Sequence, residues 1–339
     1  MQDENYGMKT EPFKNPLPII RPQFSWEREE LIELSRRAIR AQCPSVYGQE
    51  EVEVLTHPQN KYFVLRTPVF GFVYERNGKV LGLSGWEGEE QDGHARVTHC
   101  FVEPDAMGEG IGAALLSHCL TDVMSHGYTR ITLRATKDAE AFYQKYGFRT
   151  VDSHKLPLDE VRHIEGPVML APKANNRDSL SKTVIIREAR DRDAGGIISL
   201  IDHCFSEYEG LILDVENEEP ILKQFHSGFA KLGGQSWVAT KDERIVACVG
   251  YAPSKAGLEL KKLYVAKELR GSGLAQHMMN LVIDAALQQG ATSVDLWSDV
   301  KFERAHRFYE KHGFKRTPHT RALHDLSNTL EYHFLRSPL

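Results

Sequence analysis

The chain has 339 residues, of which 41% are hydrophobic, 26% charged and 9% aromatic. This is the composition of a folded globular protein, and it excludes a chain that is disordered over most of its length. The net charge of −5 shows no basic excess of the kind that nucleic-acid-binding proteins carry, so we expect no nucleic-acid partner. The length predicts two domains.

Composition also limits the compartment and the chemistry. No apolar run approaches the roughly 20 residues that a membrane-spanning helix needs, and the polar first residues do not resemble a secretory leader. The 5 cysteines are scattered with no CxxC pair, and the 15 histidines show no spacing typical of metal ligands. We therefore expect a reduced, cytoplasmic protein without a membrane partner, a disulfide framework or a metal.

The chain repeats itself. Three segments recur in the same order about 165 residues further on, which is the length of a whole domain rather than of a solenoid repeat. The matched segments are 19–22 with 185–188, 107–113 with 270–276, and 142–148 with 308–314. Between the copies lies a polar stretch that contains the breakers typical of a linker. The sequence therefore predicts domains at 15–172 and 184–339, joined by a linker at 173–183.

Each copy shows the same order of elements, described here for the second. An amphipathic helix through Ile197–Ile201 precedes strands at 236–240, 244–251 and 258–265. A glycine loop then leads into a helix over Leu274–Gln288, followed by a strand at 293–297, a helix at 303–312 and a last strand at 331–335. This mixture predicts an α/β (α+β) fold, with helices packed on a mixed sheet.

The glycine loop has the features of a phosphate site. Small residues between a strand and a helix let backbone N–H groups and the helix dipole approach an anion. There is no GxxxxGK(S/T) sequence, which excludes a P-loop here. Gly108, Gly110 and Ala113 fit the loose dinucleotide pattern GxGxxA, but Gln276 breaks that pattern in the second copy.

Two motifs together resemble those of the GNAT acetyltransferase superfamily. Residues 265–275, VAKELRGSGLA, are similar to its pyrophosphate loop (R/Q)xxGx(G/A). Residues 305–314, AHRFYEKHGF, are similar to its AxxxYxxxGF signature. Because both recur in the first half, the resemblance implies two tandem GNAT domains, each a splayed mixed sheet that binds acetyl-CoA or another acyl-CoA.

The resemblance also implies which residues hold the cofactor. In the second copy, Leu263, Tyr264 and Val265 would contact the pantetheine arm, and an N–H there would polarise the thioester carbonyl. The pyrophosphate would lie on Arg270, Gly271, Ser272, Gly273, Leu274 and Ala275. The corresponding positions of the first copy are Phe101, Val102, Gly108, Gly110, Ile111, Gly112 and Tyr143.

Acyl transfer to an amine needs a base for the ammonium and an acid for the leaving thiolate. The family often places a carboxylate base on the central strand, which corresponds to Glu259, and the signature tyrosine corresponds to Tyr309 as the acid. The alternatives are a solvated strand carboxylate for Glu259 and a packing tyrosine for Tyr309.

The first copy departs from the family pattern at several positions. Arg96 stands where the second copy has Glu259, Met107 replaces the family's Arg or Gln, and Glu109 brings a negative charge into the loop. His99 is a substitute base or a structural histidine. We interpret the first copy as a fold that has lost catalysis. In the second copy, Phe302 stands where the family often has Asn.

The acceptor site is less defined by the sequence. Trp297, Asp299 and Arg321 are candidate acceptor-binding residues, with Arg321 placed to bind the carboxylate of an amino-acid-like acceptor. A core tryptophan and a surface salt bridge are the alternatives. Residues 204–235 would roof the site, and their carboxylates either attract a cationic amine or form a solvated face.

The predicted function is an N-acetyltransferase that moves an acetyl group from acetyl-CoA directly to the primary amine of a small-molecule or amino-acid-like acceptor. One alternative is an acyl-CoA-binding sensor or scaffold without turnover, and another is a protein-lysine acetyltransferase. An oxidoreductase that binds a dinucleotide is disfavoured because the glycine loop follows three strands.

Overall fold

The computed structural model describes residues 17–60, 70–89, 93–172 and 183–339. Within them the chain divides into two compact units, Pro18–Thr183 and Val184–Leu339, which are called the N-terminal and C-terminal units below. Residues 173–182 of the predicted linker and residues 15–16 of the first predicted domain lie outside the described residues. The exact domain boundaries therefore stay predictions.

The N-terminal unit is a sheet of seven strands in the order β1-β2-β3-β4-β5-β7-β6. Its elements are β1 (Ile19–Pro22), α1 (Arg28–Gln42), α2 (Pro44–Tyr47), α3 (Gln49–Thr56), β2 (Phe70–Arg76), β3 (Lys79–Gly88), β4 (His94–Val102), α4 (Ile111–Ser125), β5 (Arg130–Arg134), α5 (Glu140–Lys145), β6 (Arg149–Pro157) and β7 (His163–Leu170). The neighbouring strands run antiparallel except for β4 and β5, which are parallel.

The C-terminal unit repeats this topology with the order β8-β9-β10-β11-β12-β14-β13. Its elements are β8 (Val184–Glu188), α6 (Ala194–Phe205), α7 (Phe225–Lys231), β9 (Gln235–Lys241), β10 (Arg244–Ser254), β11 (Gly257–Val265), α8 (Leu274–Gln288), β12 (Val294–Asp299), α9 (Glu303–Lys311), β13 (Lys315–Ala322) and β14 (Leu330–Arg336). Only β11 and β12 are parallel. The predicted α/β (α+β) fold with a mixed sheet is confirmed in both units.

Strand β13 has no counterpart in the sequence prediction. Its residues, KRTPHTRA, are almost all exposed, and Pro318 interrupts the run, so no alternation of apolar and polar side chains marks it. The strand forms because it pairs with β14 at the edge of the sheet, where Arg321 lies opposite Glu331. An edge strand needs no buried face of its own, and hydrophobic periodicity therefore cannot detect it.

The sheet of the C-terminal unit opens between its two parallel strands. The pairing of β11 with β12 covers Leu258–Leu260, whereas β11 itself continues to Val265. A bulge bends β11 in this stretch, where the register with β10 shifts and Lys262 has a φ of 56°. The N-terminal unit separates in the same way, because β4 pairs with β5 only up to Val97 and continues to Val102. Each sheet is therefore splayed, as predicted.

An apolar core holds the helices of the C-terminal unit on its sheet. Phe225 and Phe229 of α7 are fully buried against Ile197 of α6 and Val238 of β9. Burying a side chain of this size stabilises a fold by about 1.5–3 kcal/mol. In the described part of the chain, no helix is long and apolar enough to cross a membrane.

Each unit also contains its own ion pair at the first strand. The Arg21 side chain donates to Glu27 (Nη1–Oε2 2.9 Å) and to Glu75 (Nε–Oε2 3.0 Å). At the equivalent position, Arg187 forms two bonds of 2.7 and 2.8 Å to Asp193. In both units the carboxylate also accepts a backbone N–H three residues earlier, which fixes the turn into the first helix.

Candidate active site

A cavity of about 110 Å³ opens in the C-terminal unit where β11 separates from β12. Its lining contains seven of the residues singled out in the sequence: Glu259, Leu263, Tyr264, Trp297, Asp299, Tyr309 and Arg321. It also contains residues that the sequence analysis did not assign to a site: Leu260, Lys261, Lys262, Ser298, Phe302, Ala305 and Glu331. Val265 and the glycine loop, which follow Tyr264 along the chain, lie outside this lining.

Glu259 lies on β11 in the middle of the short parallel ladder, opposite Asp295 of β12. Its side chain is 18% exposed and forms an ion pair with Lys261 (Oε1–Nζ 2.5 Å). The two residues share one strand face because they are two positions apart. That spacing was visible in the sequence and could have predicted the pair. The Glu259 carboxylate therefore lines the cavity and is already paired with the Lys261 ammonium.

Tyr309 projects from α9 and is buried. Its ring packs against Phe314 and Phe334, with centroids 5.7 and 6.0 Å away. Burial raises the pKa of the Tyr309 hydroxyl above its ordinary value. The hydroxyl is therefore protonated at neutral pH and can donate a proton or a hydrogen bond into the cavity.

The end of β11 presents a backbone edge to the cavity. Leu263 and Tyr264 follow the bulge and line the cavity, beyond the stretch that β12 pairs with. Burial raises the pKa of the Tyr264 hydroxyl well above its ordinary value. The Tyr264 side chain is therefore neutral. The backbone of this edge is suited to bind an extended polar chain, because β12 does not pair with it.

The glycine loop has the backbone geometry of an anion cradle. Gly271 and Gly273 have φ values of 80° and 91°, and a Cβ at Gly271 would meet only open space. Helix α8 starts directly after Gly273, so its first N–H groups and its dipole point toward the loop. Among the described residues, no acceptor is bonded to the N–H groups of Gly271, Gly273 or Ala275.

The Arg270 side chain is bonded to partners outside that cradle. Its guanidinium forms a bidentate ion pair with Glu207 (2.8 and 2.6 Å), and its Nε donates to the Val265 carbonyl at 3.0 Å. The hydrogen bond from Arg270 lowers the pKa of Glu207. The Arg270 backbone N–H also donates to the Lys267 carbonyl at 3.3 Å. Of the six loop residues predicted to hold a pyrophosphate, Arg270 therefore has both its side chain and its N–H engaged in holding the loop in place.

The candidate acceptor residues form one wall of the cavity. The Arg321 guanidinium lies 4.6 Å from the Trp297 ring centroid and pairs with Glu331 (Nε–Oε2 2.5 Å). Asp299 is buried and accepts from Thr329 and from the Lys301 N–H, so its carboxylate supports the wall. The sequence could not have identified Glu331, because its neighbours are set by the pairing of β13 with β14.

Aromatic rings and ion pairs connect residues 204–235 to this cavity. Phe302 packs edge-on against Tyr208, with centroids 5.0 Å apart. Glu219 pairs with Lys262, and Glu218 accepts the Leu326 N–H at 2.8 Å. Several carboxylates of this stretch are thus engaged by neighbours of the same unit.

The equivalent region of the N-terminal unit has different chemistry. Arg96 lies opposite Thr132, as Glu259 lies opposite Asp295, and it pairs with Glu87 and Glu89. His99 is buried, and burial lowers the pKa of its imidazole to about 4. Among the described residues, nothing hydrogen-bonds to His99 Nε2.

Side chains of α1, α2 and α3 pack near the end of β4 in the N-terminal unit. Phe101 packs on the apolar cluster of Ile39, Leu55 and Leu158. Tyr47 joins two sides of the region, since its hydroxyl donates to the Glu165 carbonyl at 2.9 Å and accepts the Lys137 N–H at 2.6 Å.

The other candidates of the N-terminal unit keep the repeat geometry. Gly108 and Gly110 have φ values of 83° and 85°, and α4 begins at Ile111. Val102 ends β4, and a Cβ at Gly112 would lie 3.5 Å from it. Tyr143 of α5 is buried, its ring 5.6 Å from that of Phe148.

A splayed mixed sheet, a glycine loop at a helix N-terminus and a cavity between the separating strands define the class of N-acyltransferase folds. Residues 197–314 match the family model described as "Acetyltransferase (GNAT) family", and residues 43–164 match "Acetyltransferase (GNAT) domain". The chain belongs to the GNAT acetyltransferase family, with one domain in each unit. The resemblance stated from the two motifs is confirmed.

Curated relatives carry acetyltransferase names. The chain is 42% identical over 81 residues to an uncharacterized N-acetyltransferase of Mycobacterium bovis, which is 23% of this chain and 50% of that protein. It is 30% identical over 186 residues to probable N-acetyltransferase 14 of Xenopus tropicalis, covering 49% of this chain and 90% of the relative. It is 29% identical over 133 residues to a peptidyl-lysine N-acetyltransferase of Salmonella typhimurium, covering 38% and 82%. The chain spans half the length of the mycobacterial relative.

Proposed function

We propose that the protein is an N-acetyltransferase whose C-terminal unit transfers an acetyl group from acetyl-CoA to the primary amine of a small-molecule or amino-acid-like acceptor. One observation carries the proposal. A carboxylate, Glu259, and a buried protonated hydroxyl, Tyr309, line one cavity beside the backbone edge at the end of β11. In this proposal the N-terminal unit, with Arg96 in place of the carboxylate, keeps the fold without catalysis.

The residues present fit an acyl-CoA. The open space at Gly271 and the N–H groups at the start of α8 suit the pyrophosphate, and Leu263 and Tyr264 offer backbone to the pantetheine arm. When bound, acetyl-CoA supplies the thioester whose acetyl group is transferred.

The chain's own residues then have separate tasks. The Glu259 carboxylate accepts a proton from the acceptor ammonium, directly or through one water, which frees the nitrogen lone pair. A backbone N–H at the bulge end of β11 polarises the carbonyl by hydrogen bonding to its oxygen. Tyr309 donates its hydroxyl proton to the departing sulfur and regains a proton from the nitrogen, which loses its second proton as the amide forms. Burial raises the pKa of the Tyr309 hydroxyl, so the group is neutral before the reaction.

The charges of the cavity support an amino-acid-like acceptor. Its lining carries acidic and basic side chains in pairs, Glu259 with Lys261 and Arg321 with Glu331. A zwitterion matches such a surface, with its ammonium at Glu259 and its carboxylate at Arg321. The volume of about 110 Å³ suits a small group rather than a bulky one.

A protein lysine is the second candidate acceptor. The similarity to a peptidyl-lysine N-acetyltransferase favours it, because that similarity covers 82% of the relative. Its primary amine needs the same base and acid, so the two candidates differ only in what surrounds the amine.

The experiment is a screen of amines, amino acids and lysine peptides with acetyl-CoA, read as acceptor-dependent release of free CoA thiol. Glu259→Gln and Tyr309→Phe should each lower kcat/KM by about a hundredfold, the usual contribution of a general acid or base. Glu268→Gln is the matched control, because Glu268 is an exposed carboxylate paired with Arg244.

Unchanged rates in both site variants would contradict the assignment of the C-terminal cavity. Tight binding of acetyl-CoA without thiol release for any acceptor would favour the sensor or scaffold interpretation instead. A response to lysine peptides but not to free amino acids would select the protein acceptor.

A further inference from the structure

Lys261 places an amine of the protein itself on the candidate base. Its Nζ is 2.5 Å from Glu259 Oε1, and both side chains line the cavity that Tyr309 also lines. This is the arrangement that the acceptor ammonium must adopt before it loses its proton. The Lys261 side chain is 28% exposed, so it is not sealed in the core.

The strand geometry brings this amine near the reacting position. Lys261 precedes Leu263 by two residues, with the bulge at Lys262 between them, so the two positions are at most roughly 7 Å apart, within the reach of an extended lysine side chain. Leu263 belongs to the backbone edge that would hold the thioester. Along β11, Lys261 therefore lies between the candidate base and that edge.

Lys262 provides an internal comparison. It lines the same cavity, but its φ of 56° at the bulge directs it to a different carboxylate, Glu219. Two neighbouring lysines thus share one sequence context and one cavity, and only Lys261 is held by the candidate base.

We propose that Lys261 is a self-acetylation site of this protein, an inference that rests on the proposed function. Glu259 takes a proton from the Lys261 ammonium. The freed Nζ forms a bond to the acetyl carbon, the carbon–sulfur bond breaks, and Tyr309 protonates the thiolate. The second proton that Nζ loses as the amide forms passes to the Tyr309 phenolate. One acetyl-CoA and one lysine ammonium are consumed, and one acetyllysine, one free CoA and one proton, which Glu259 releases to solvent, are produced. The neutral amide no longer pairs with Glu259, whose carboxylate is then open to an acceptor ammonium.

The test uses the full chain and isotopically labelled acetyl-CoA without an acceptor, followed by intact mass measurement and fragment-ion localisation. We expect one acetyl group on Lys261, added at a rate that does not depend on protein concentration. Glu259→Gln should slow the labelling about a hundredfold. Lys315→Arg, at an exposed position of β13, should keep the label, and Lys261→Arg should lose it. Thermal unfolding of each variant checks that the fold persists.

Random chemical acetylation has a different signature. Lys267 is 76% exposed and serves as the internal reference for it. Equal labelling of Lys267 and Lys261, or undiminished labelling in Glu259→Gln, would overturn the inference. An unlabelled Lys261 in a preparation that still acetylates an amine would overturn it while leaving the proposed function intact. Loss of both reactions would overturn the two together.

Discussion

Arg270 and Glu207 form a bidentate ion pair that ties the glycine loop to the residues just after α6. The two bonds measure 2.8 and 2.6 Å, and a third bond of 3.0 Å runs from Arg270 to the Val265 carbonyl at the end of β11. One guanidinium thus connects the end of the splayed strand, the loop before α8 and the segment just after α6. The Arg270 side chain thereby holds the shape of the loop, and the backbone of the loop forms the anion cradle.

Removing the charge of Glu207 should therefore loosen the loop. We expect Glu207→Gln to raise the KM for acetyl-CoA by up to about tenfold with little change in kcat, since hydrogen bonds to charged groups contribute about 1.5–3 kcal/mol and this pair is partly exposed. Steady-state kinetics at saturating acceptor measures both constants. Glu268→Gln, which breaks only the exposed pair with Arg244, should leave them unchanged. A fall in kcat alone would contradict this role.

The two glycine loops provide a matched comparison between the units. Gly271 and Gly108 have φ values of 80° and 83°, and a Cβ would meet no atom at either position. Alanine at either position should lower the free energy of unfolding of its own unit by about 1–2 kcal/mol. The reason is that an L-residue disfavours the left-handed backbone, while its Cβ meets no neighbour. We expect Gly271→Ala to raise the KM for acetyl-CoA and Gly108→Ala to leave it unchanged. Equal increases would show that both loops serve the reaction.

Arg21 should be essential to the stability of the N-terminal unit. Its side chain is 3% exposed between the carboxylates of Glu27 and Glu75. Arg21→Met would remove the cation that faces both buried carboxylates, a loss of about 3–5 kcal/mol. Arg187→Met should cost less, because Arg187 is 18% exposed and faces one carboxylate, that of Asp193. Urea unfolding followed by hydrogen exchange in each unit separates the two effects. A larger loss for Arg187→Met would refute the ranking.

His99 should make the stability of the N-terminal unit depend on pH. Burial lowers the pKa of its imidazole from 6.5 to about 4, so between these values the unfolded chain binds a proton that the folded chain does not. The contribution of neutral His99 to the free energy of unfolding is therefore fully present above about pH 6.5, and it falls by roughly 3 kcal/mol as the pH drops to about 4.

The measurement for His99 is hydrogen exchange of the β4 amides across that pH range. His99→Leu removes the titrating group and should flatten the part of the slope that His99 causes. A slope that is identical in His99→Leu and the unchanged chain would assign the acid sensitivity to other groups.

Much of the fold could be predicted from local patterns. The strands at 236–240, 244–251 and 258–265 and the helix at Leu274–Gln288 lie within or match observed elements, because their apolar residues follow the period of a strand or a helix. Strand β13 could not be predicted in this way, since its side chains are exposed and its pairing with β14 alone defines it.

The residues of the candidate site likewise differ in how far the sequence could identify them. Glu259 and Tyr309 were identified from motif position, and whether they act as base and acid stays a prediction. The pairing of Glu259 with Lys261 could have been predicted from the sequence, because both residues lie on one face of one strand. The contact of Arg321 with Trp297 and Glu331 could not be predicted, because it depends on the pairing of β14 with both β12 and β13, and no apolar pattern marks β13.

The sequence by itself determined that this chain contains two copies of one domain and that each copy carries a glycine loop between a strand and a helix. Such features depend on residues close together in the chain, where glycine, side-chain period and motif spacing act directly. Only the tertiary structure decided that the separation of β11 from β12 leaves a cavity holding Glu259, Lys261 and Tyr309. It also decided that apolar side chains of α1 and α3 pack in one cluster with Phe101 of β4 in the N-terminal unit. Packing between distant segments sets these distances, and no local pattern encodes them.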